Sequence, residues 1–123
     1  LYRLSGGEFE MMTEDHTLAE SMIEDGEDPD TIPERFHNIL SRAIGLMSYT
    51  DIDCAVFDVA HGERFLLCSD GLTSYIADEH LLKGVALADH NDALQDLVLG
   101  AKRGGGHDNI TAILIDVFDE NLI

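Results

Sequence analysis

Two aspartate residues occupy positions at which a carboxylate could bind a cation. Asp70 directly follows the nearly continuous apolar run Arg64–Ser69, and Asp108 follows a run of glycines at the start of another apolar segment. A carboxylate at a strand end is held by a stiff backbone while its oxygens reach solvent. Hard cations such as Mg²⁺ and Mn²⁺ prefer such oxygen ligands, with room left for water. Gly71 and the glycines before Asp108 remove side chains where a loop must approach closely.

Each aspartate also has an ordinary structural explanation. Asp-Gly after a strand commonly forms a turn, and Asp-Asn before a strand commonly binds nearby backbone groups. Taken singly, Asp70-Gly71 and Asp108-Asn109 favour turn chemistry over metal binding. The two longer segments around these aspartates, taken together and in this order along the chain, favour metal binding over turn chemistry.

Apolar and alternating segments predict the strands that position these aspartates. Ser5-Gly6-Gly7 predicts a hairpin between the first two strands. The run that precedes Asp70 is typical of a strand covered on both faces. The predicted strands are Leu1–Leu4, Glu8–Met12, Ile52–Val59, Arg64–Ser69 and Ile110–Val117. Periodicity does not decide between strand and helix for Phe36–Ile44.

Capping residues predict three helices between the strands. Thr17 is an expected N-cap that forms a capping box with Glu20, and its helix ends near Gly26. Asp78 is expected to cap a helix that ends near Gly84, and Asn91 or Asp92 one that ends near Lys102. Residues 24–33 are acidic, contain both prolines and predict an exposed, mobile connection.

The composition limits the classes of function. The chain has 123 residues, enough for one domain with a modest core, and opens on the strand-like run Leu-Tyr-Arg-Leu, which suggests a fragment of a longer protein. With 25 acidic against 7 basic residues the net charge is −18, which argues against binding nucleic acid.

No segment has the length of a membrane span or the pattern of a signal peptide. Cys54 and Cys68 match no zinc spacing and are expected to be buried free thiols in a reducing cytoplasm.

Two segments resemble the type 2C family of metal-dependent serine/threonine protein phosphatases. FLLCSDGLTSYIADEHL (65–81) is similar to the family's strand–Ser-Asp-Gly-Leu–helix segment, and GGGHDNITAILIDV (104–117) is similar to its closing Gly-Gly-x-x-Asp-Asn-Ile-Thr strand. Weaker matches at 14–17 and 39–45 precede them in the family's order. The resemblance covers essentially the whole chain and is greatest to bacterial members.

The resemblance implies a fold, an activity and a site. The fold is α+β, a four-layer α-β-β-α sandwich of antiparallel sheets, of which residues 1–123 would be the C-terminal portion. The family hydrolyses phosphoserine and phosphothreonine in proteins with two or more Mn²⁺ or Mg²⁺ ions, so the implied partner is a phosphoprotein substrate. Asp70 and Asp108 would ligate one ion, Asn109 and Gly71 would support the loop, and no catalytic residue is separate from the metal site.

Departures from the family pattern limit what this chain is expected to do alone. The family's Asp-Gly-x-Gly-Gly segment, its phosphate-binding arginine and an early acidic ligand have no counterpart, and Ser74 replaces an aspartate that many relatives have. We therefore expect weak metal affinity, no useful turnover by the chain alone, and self-association through exposed strand edges. A non-catalytic phosphatase-like interaction module and a sporulation-type phosphatase acting on a dedicated regulator are the alternatives.

Two further residues have weaker functional interpretations. His107, beside Asp108, could act as a general acid. Arg42 could bind phosphate, although an arginine beside an acidic loop more often pairs with a carboxylate. For both residues the sequence favours the structural role.

Overall fold

The chain divides into two compact units. In a computed structural model, residues 1–45 and 48–119 are described. The first unit combines Leu1–Thr13 with Asp58–Ile123, and the second is Glu14–Phe57. Both candidate ligands, Asp70 and Asp108, belong to the first unit.

The first unit contains an antiparallel sheet of four strands in the order β2-β1-β3-β4. The strands are β1 Tyr2–Ser5, β2 Glu8–Met11, β3 Arg64–Cys68 and β4 Ala112–Asp116. Gly6 and Gly7 join the first two with φ of 56° and 89°, the left-handed conformations that a two-residue hairpin loop needs. The predicted hairpin is confirmed.

One face of this sheet packs against helices. Leu66, fully buried in the central strand β3, lies between Tyr2 of β1 and Leu114 of β4. Because side chains alternate along a strand, these residues share a face, and that face contacts a buried cluster contributed largely by the helices. The buried cluster is Leu66, Leu72, Ile76, Leu81, Val85, Leu97 and Ala101. The prediction that β3 is covered on both faces is wrong at Leu67, which is exposed.

Three helices of the first unit lie between β3 and β4 in the chain. They are α2 Asp70–Thr73, α3 Asp78–Val85 and α4 His90–Arg103. The predicted caps are wrong by one to three residues. Asp89 caps α4 by accepting hydrogen bonds from the amides of Asn91 and Asp92, and Ala77 precedes α3 without a side-chain cap.

The second unit contains one α-helix and two short 3-10 helices. Helix α1 is Leu18–Glu24, and the 3-10 helices are Pro29–Thr31 and Glu34–Asn38. The hydroxyl of Thr17 accepts a hydrogen bond from the Glu20 amide at 3.2 Å, as predicted. The amide of Thr17 itself donates to the carbonyl of Asp15, so the second half of the expected capping box is replaced by a backbone bond.

The strand predicted to precede β3 in the chain is wrong. Ile52–Val59 forms no strand: the segment is irregular, and Val56 is fully exposed. A strand forms only where another strand accepts its backbone hydrogen bonds, and in the described part of the chain none pairs with this segment. Residues 24–33, predicted to be an exposed connection, are exposed except for Ile32 and contain the 3-10 helix at Pro29, capped by Asp28. The mobility expected of them stays a prediction.

Two smaller expectations concern the cysteines and membrane spans. Neither cysteine forms a disulfide bond, but Cys54 is exposed and only Cys68 is partly buried, so the burial predicted for Cys54 is wrong. Within residues 1–45 and 48–119, no helix has the length and apolar character needed to cross a bilayer.

Candidate metal site

Asp70 lies where the central strand turns into a short helix. Strand β3 ends at Cys68, Ser69 continues in extended backbone (φ −82°, ψ 161°), and Asp70 is the first residue of α2. Gly71 and Leu72 are buried, while Asp70 is exposed. The buried neighbours hold the backbone in place, and the carboxylate reaches solvent.

Asp108 lies on the glycine-rich loop between α4 and β4. The backbone of this loop contacts Tyr75: a Cβ atom at Gly104 would lie 1.8 Å from the carbonyl oxygen of Tyr75. The His107 ring meets the Tyr75 ring edge-on, with centroids 5.8 Å apart. Asp108 is exposed, and its Oδ1 accepts a hydrogen bond from the Asn109 amide at 2.6 Å. The loop is therefore held against Tyr75 at Gly104 and at His107.

The structure brings the two predicted segments together. A Cβ atom at Gly71 would lie 2.1 Å from the carbonyl oxygen of Asn109 and 3.4 Å from Cβ of Asp108. Only glycine allows this approach, because Cβ atoms are essentially never within 3.0 Å of a heavy atom from a residue that is not their neighbour in the chain. All four residues predicted for the site, which are Asp70, Gly71, Asp108 and Asn109, therefore lie side by side.

The chemistry of this arrangement fits part of a site for a hard cation. Two exposed carboxylates supply oxygen ligands, and the glycine leaves space where a side chain would otherwise intrude. Among the described residues, however, no three His, Cys, Asp or Glu side chains come close enough together to hold a metal ion. Asp70 and Asp108 are thus an incomplete ligand set, to which water or other groups would have to contribute.

The other residues weighed from the sequence make structural contacts. Arg42 Nη1 donates to Asp53 Oδ1 at 2.8 Å, and His16 Nε2 lies 2.6 Å from Asp53 Oδ2. The hydrogen bond from Arg42 is the main cause that lowers the pKa of the Asp53 carboxyl. Arg42 thus pairs with a carboxylate, the alternative that the sequence favoured, and His107 packs on Tyr75.

Sequence reasoning missed the contacts of Ser69, whose hydroxyl bonds to the Asp108 loop. Ser69 Oγ lies 3.2 Å from the carbonyl oxygen of Asn109 and 3.1 Å from the amide nitrogen of Thr111. These partners are 40 and 42 positions away in the chain. The only signal in the sequence was the position of this serine, next to Asp70.

Comparison with known proteins relates the chain to protein phosphatases. No family model matches the chain. The chain is 30% identical over 122 residues to the serine/threonine protein phosphatase PstP of Mycobacterium tuberculosis, and 32% identical over 121 residues to the serine/threonine phosphatase stp of Listeria welshimeri. These alignments cover 96% and 94% of the chain, but only 23% and 47% of the relatives.

A solved structure gives the same result for the fold. The catalytic domain of the serine/threonine protein phosphatase PstP, determined in complex with two manganese ions, matches with a TM-score of 0.77 and 30% identity, covering 96% of this chain and 49% of that one. The predicted α+β fold with an antiparallel sheet is confirmed. By sequence and by fold, the chain belongs to the type 2C family of serine/threonine protein phosphatases.

Proposed function

We propose that residues 1–123 are the C-terminal portion of the catalytic domain of a protein serine/threonine phosphatase, and that Asp70 and Asp108 ligate one of its divalent ions. The observation that carries this proposal is the close approach of the two segments, with Gly71 against the backbone of Asn109. The manganese-containing relative supports it, since that protein has the same fold.

The residues of the site would have different tasks. Asp70 and Asp108 would hold Mn²⁺ or Mg²⁺ through their exposed oxygens, Gly71 would let the two backbones approach, and Asn109 would orient the loop. A bound divalent ion would supply positive charge to the phosphoryl oxygens and assist the attack of water.

The charge of the chain supports a role for cations. The net charge of −18 repels a phosphorylated protein, the substrate class we propose, unless cations intervene at the site. Two or more ions in the complete enzyme would provide that local positive charge. We propose a cytoplasmic location, in keeping with two cysteines that form no disulfide bond.

A second candidate function is a non-catalytic interaction module with the phosphatase fold. Like the first candidate, it is compatible with the incomplete ligand set found among the residues that the structure describes. The two candidates differ in the consequence of metal binding. In the first, the ion bound by Asp70 and Asp108 serves phosphate-ester hydrolysis once the remaining ligands are supplied; in the second, these carboxylates bind no functional ion.

Titration with Mn²⁺, followed by the electron paramagnetic resonance signal of the free ion, tests the proposal. We expect weak binding by the wild-type chain, and a loss of affinity on the order of tenfold in Asp70→Asn and in Asp108→Asn, because each loses a charged ligand. Asp78→Asn is the matched control, since Asp78 is also exposed and also begins a helix. Equal affinity in the wild type and in both ligand variants would remove the basis for the metal site.

A further inference from the structure

Ser69 is an N-cap residue whose hydroxyl does not cap its helix. Serine at the position before a helix normally accepts a hydrogen bond from the amide two or three residues later. Ser69 precedes α2, but its side chain makes no such bond, and the Leu72 amide donates to the Ser69 carbonyl at 3.1 Å instead. The hydroxyl is therefore used elsewhere.

The Ser69 hydroxyl bonds the backbone on both sides of Ile110. It donates to the carbonyl oxygen of Asn109 at 3.2 Å and accepts from the amide of Thr111 at 3.1 Å. The Ser69 amide also donates to the Thr111 carbonyl, at 3.0 Å. A hydroxyl has one hydrogen and can accept as well, so this single group fulfils both roles.

These bonds act on the two residues next to the candidate ligands. Ser69 is bonded covalently to Asp70, and Asn109 to Asp108. The Asn109 carbonyl that receives the Ser69 hydroxyl is the same oxygen that lies against Gly71. Without the hydroxyl, the hydrogen bond from the Ser69 amide to the Thr111 carbonyl and the contact at Gly71 would still join the strand end to the loop.

We propose that Ser69 is a positioning residue, whose hydroxyl holds the strand end that carries Asp70 against the loop that carries Asp108 and thereby fixes the spacing of the two carboxylates. The inference rests on the proposed function, because the spacing matters only if the two carboxylates bind one ion. Groups that orient metal ligands typically change metal affinity by roughly 10- to 100-fold when they are removed.

The test compares Mn²⁺ affinity with thermal stability in four variants. Ser69→Ala removes both bonds and is expected to lower Mn²⁺ affinity by about tenfold. Ser69→Thr keeps the hydroxyl, suits the extended backbone at this position and should retain affinity near that of the wild type. Ser74→Ala removes an exposed hydroxyl of the same segment that makes neither contact, and should change nothing. Val85→Ala, in the core, should lower the melting temperature without changing the affinity.

A measurement on the wild-type chain covers the case in which Ser69→Ala does not fold. Saturating Mn²⁺ should slow hydrogen exchange at the Thr111 amide, which the hydroxyl binds, more than at Leu114 in the same strand. Unchanged exchange at Thr111, or wild-type affinity in a folded Ser69→Ala, would overturn the inference. If Asp70→Asn and Asp108→Asn weaken binding while Ser69→Ala does not, the proposed function stands and only the positioning role fails. If none of the three variants weakens binding, the proposed function fails.

Discussion

Gly71 is the residue at which the close approach of the two segments can be tested most directly. A Cβ atom there would lie 2.1 Å from the Asn109 carbonyl oxygen, and that oxygen is backbone, so it cannot move aside as a flexible side chain would. We expect Gly71→Ala to lower the free energy of unfolding by about 2 kcal/mol or more, as overpacking does, and to weaken Mn²⁺ binding as well. Urea denaturation and Mn²⁺ titration measure the two effects.

Gly62→Ala is the control for this substitution. A Cβ atom at Gly62 would have no heavy atom within 4 Å, but the residue has a φ of 86°, so alanine there costs about 1 kcal/mol of backbone strain without affecting the site. If Gly71→Ala were no more destabilising than Gly62→Ala, the contact between the two segments would not be as close as described.

At the scale of single residues, the sequence singled out candidate ligands but not the contacts that support them. Asp70 and Asp108 were proposed because each lies in a long segment with a recognisable order of residue types, and their binding of a metal stays a prediction. The role of Ser69 could not, because its hydroxyl bonds residues 40 and 42 positions away. Such a contact depends on the register between β3 and β4, which local patterns do not determine.

At the scale of secondary structure, one network of ion pairs and hydrogen bonds joins four elements. Nη2 of Arg64, in β3, donates a hydrogen bond to Oδ2 of Asp116, in β4, at 2.7 Å. Nη1 of the same arginine donates to the carbonyl oxygen of Val85, at the end of α3, at 2.9 Å. His90, the first residue of α4, lies 2.6 Å from the same Asp116 oxygen. The guanidinium thus satisfies a helix C-terminus and a strand carboxylate together.

The Asp116 carboxylate gives this network a dependence on pH. The Arg64 hydrogen bond is the largest cause that lowers the Asp116 pKa; His90 acts in the same direction and desolvation opposes both. Because the pKa is lower in the folded than in the unfolded chain, the ionised carboxylate contributes its full stability above the ordinary carboxyl pKa of about 3.9. That contribution is lost as the pH falls below this value and through the lower pKa that Asp116 has in the folded chain.

We therefore expect Asp116→Asn to lower the free energy of unfolding by about 2 kcal/mol near pH 6. Near pH 3 the free energies of unfolding of the variant and the wild type should differ by less. Urea denaturation at both pH values measures it. Glu79→Gln is the control, because the exposed pair of Glu79 with Lys83 is expected to contribute less than about 0.5 kcal/mol at either pH. If the free energies of unfolding of Asp116→Asn and the wild type differed by the same amount at both pH values, the stabilising role of the ionised Asp116 carboxylate would be contradicted.

Strands and helices were predicted where local sequence determines them. The hairpin has glycines at both turn positions, and the core of β3 is an apolar run, so both were found. Ile52–Val59 has the composition of a strand but lacks a partner among the described residues. The α4 cap was misplaced because Asp89, Asn91 and Asp92 are all good capping residues within one turn, and only the backbone conformation selects Asp89.

At the scale of the whole molecule, the second face of the sheet exposes apolar side chains. Leu67 of β3 pairs with Ile113 of β4, and these residues, with Ile115, point away from the face that packs on the helices. They are 47%, 51% and 45% exposed, respectively. Contiguous exposed apolar surface of this kind can mediate protein association.

Self-association of the chain stays a prediction, and the outward face of the sheet is where it can be tested. In size-exclusion chromatography with light scattering, we expect a mass above the 13.5 kDa of one chain that rises with protein concentration. Ile113→Lys places a charge in the centre of this face, where association would have to desolvate it, and should shift the population toward the monomer. Leu99→Lys is the matched control, because Leu99 is 48% exposed but lies on α4. A concentration-independent mass of one chain, or equal effects of the two lysine substitutions, would show that this face does not mediate association.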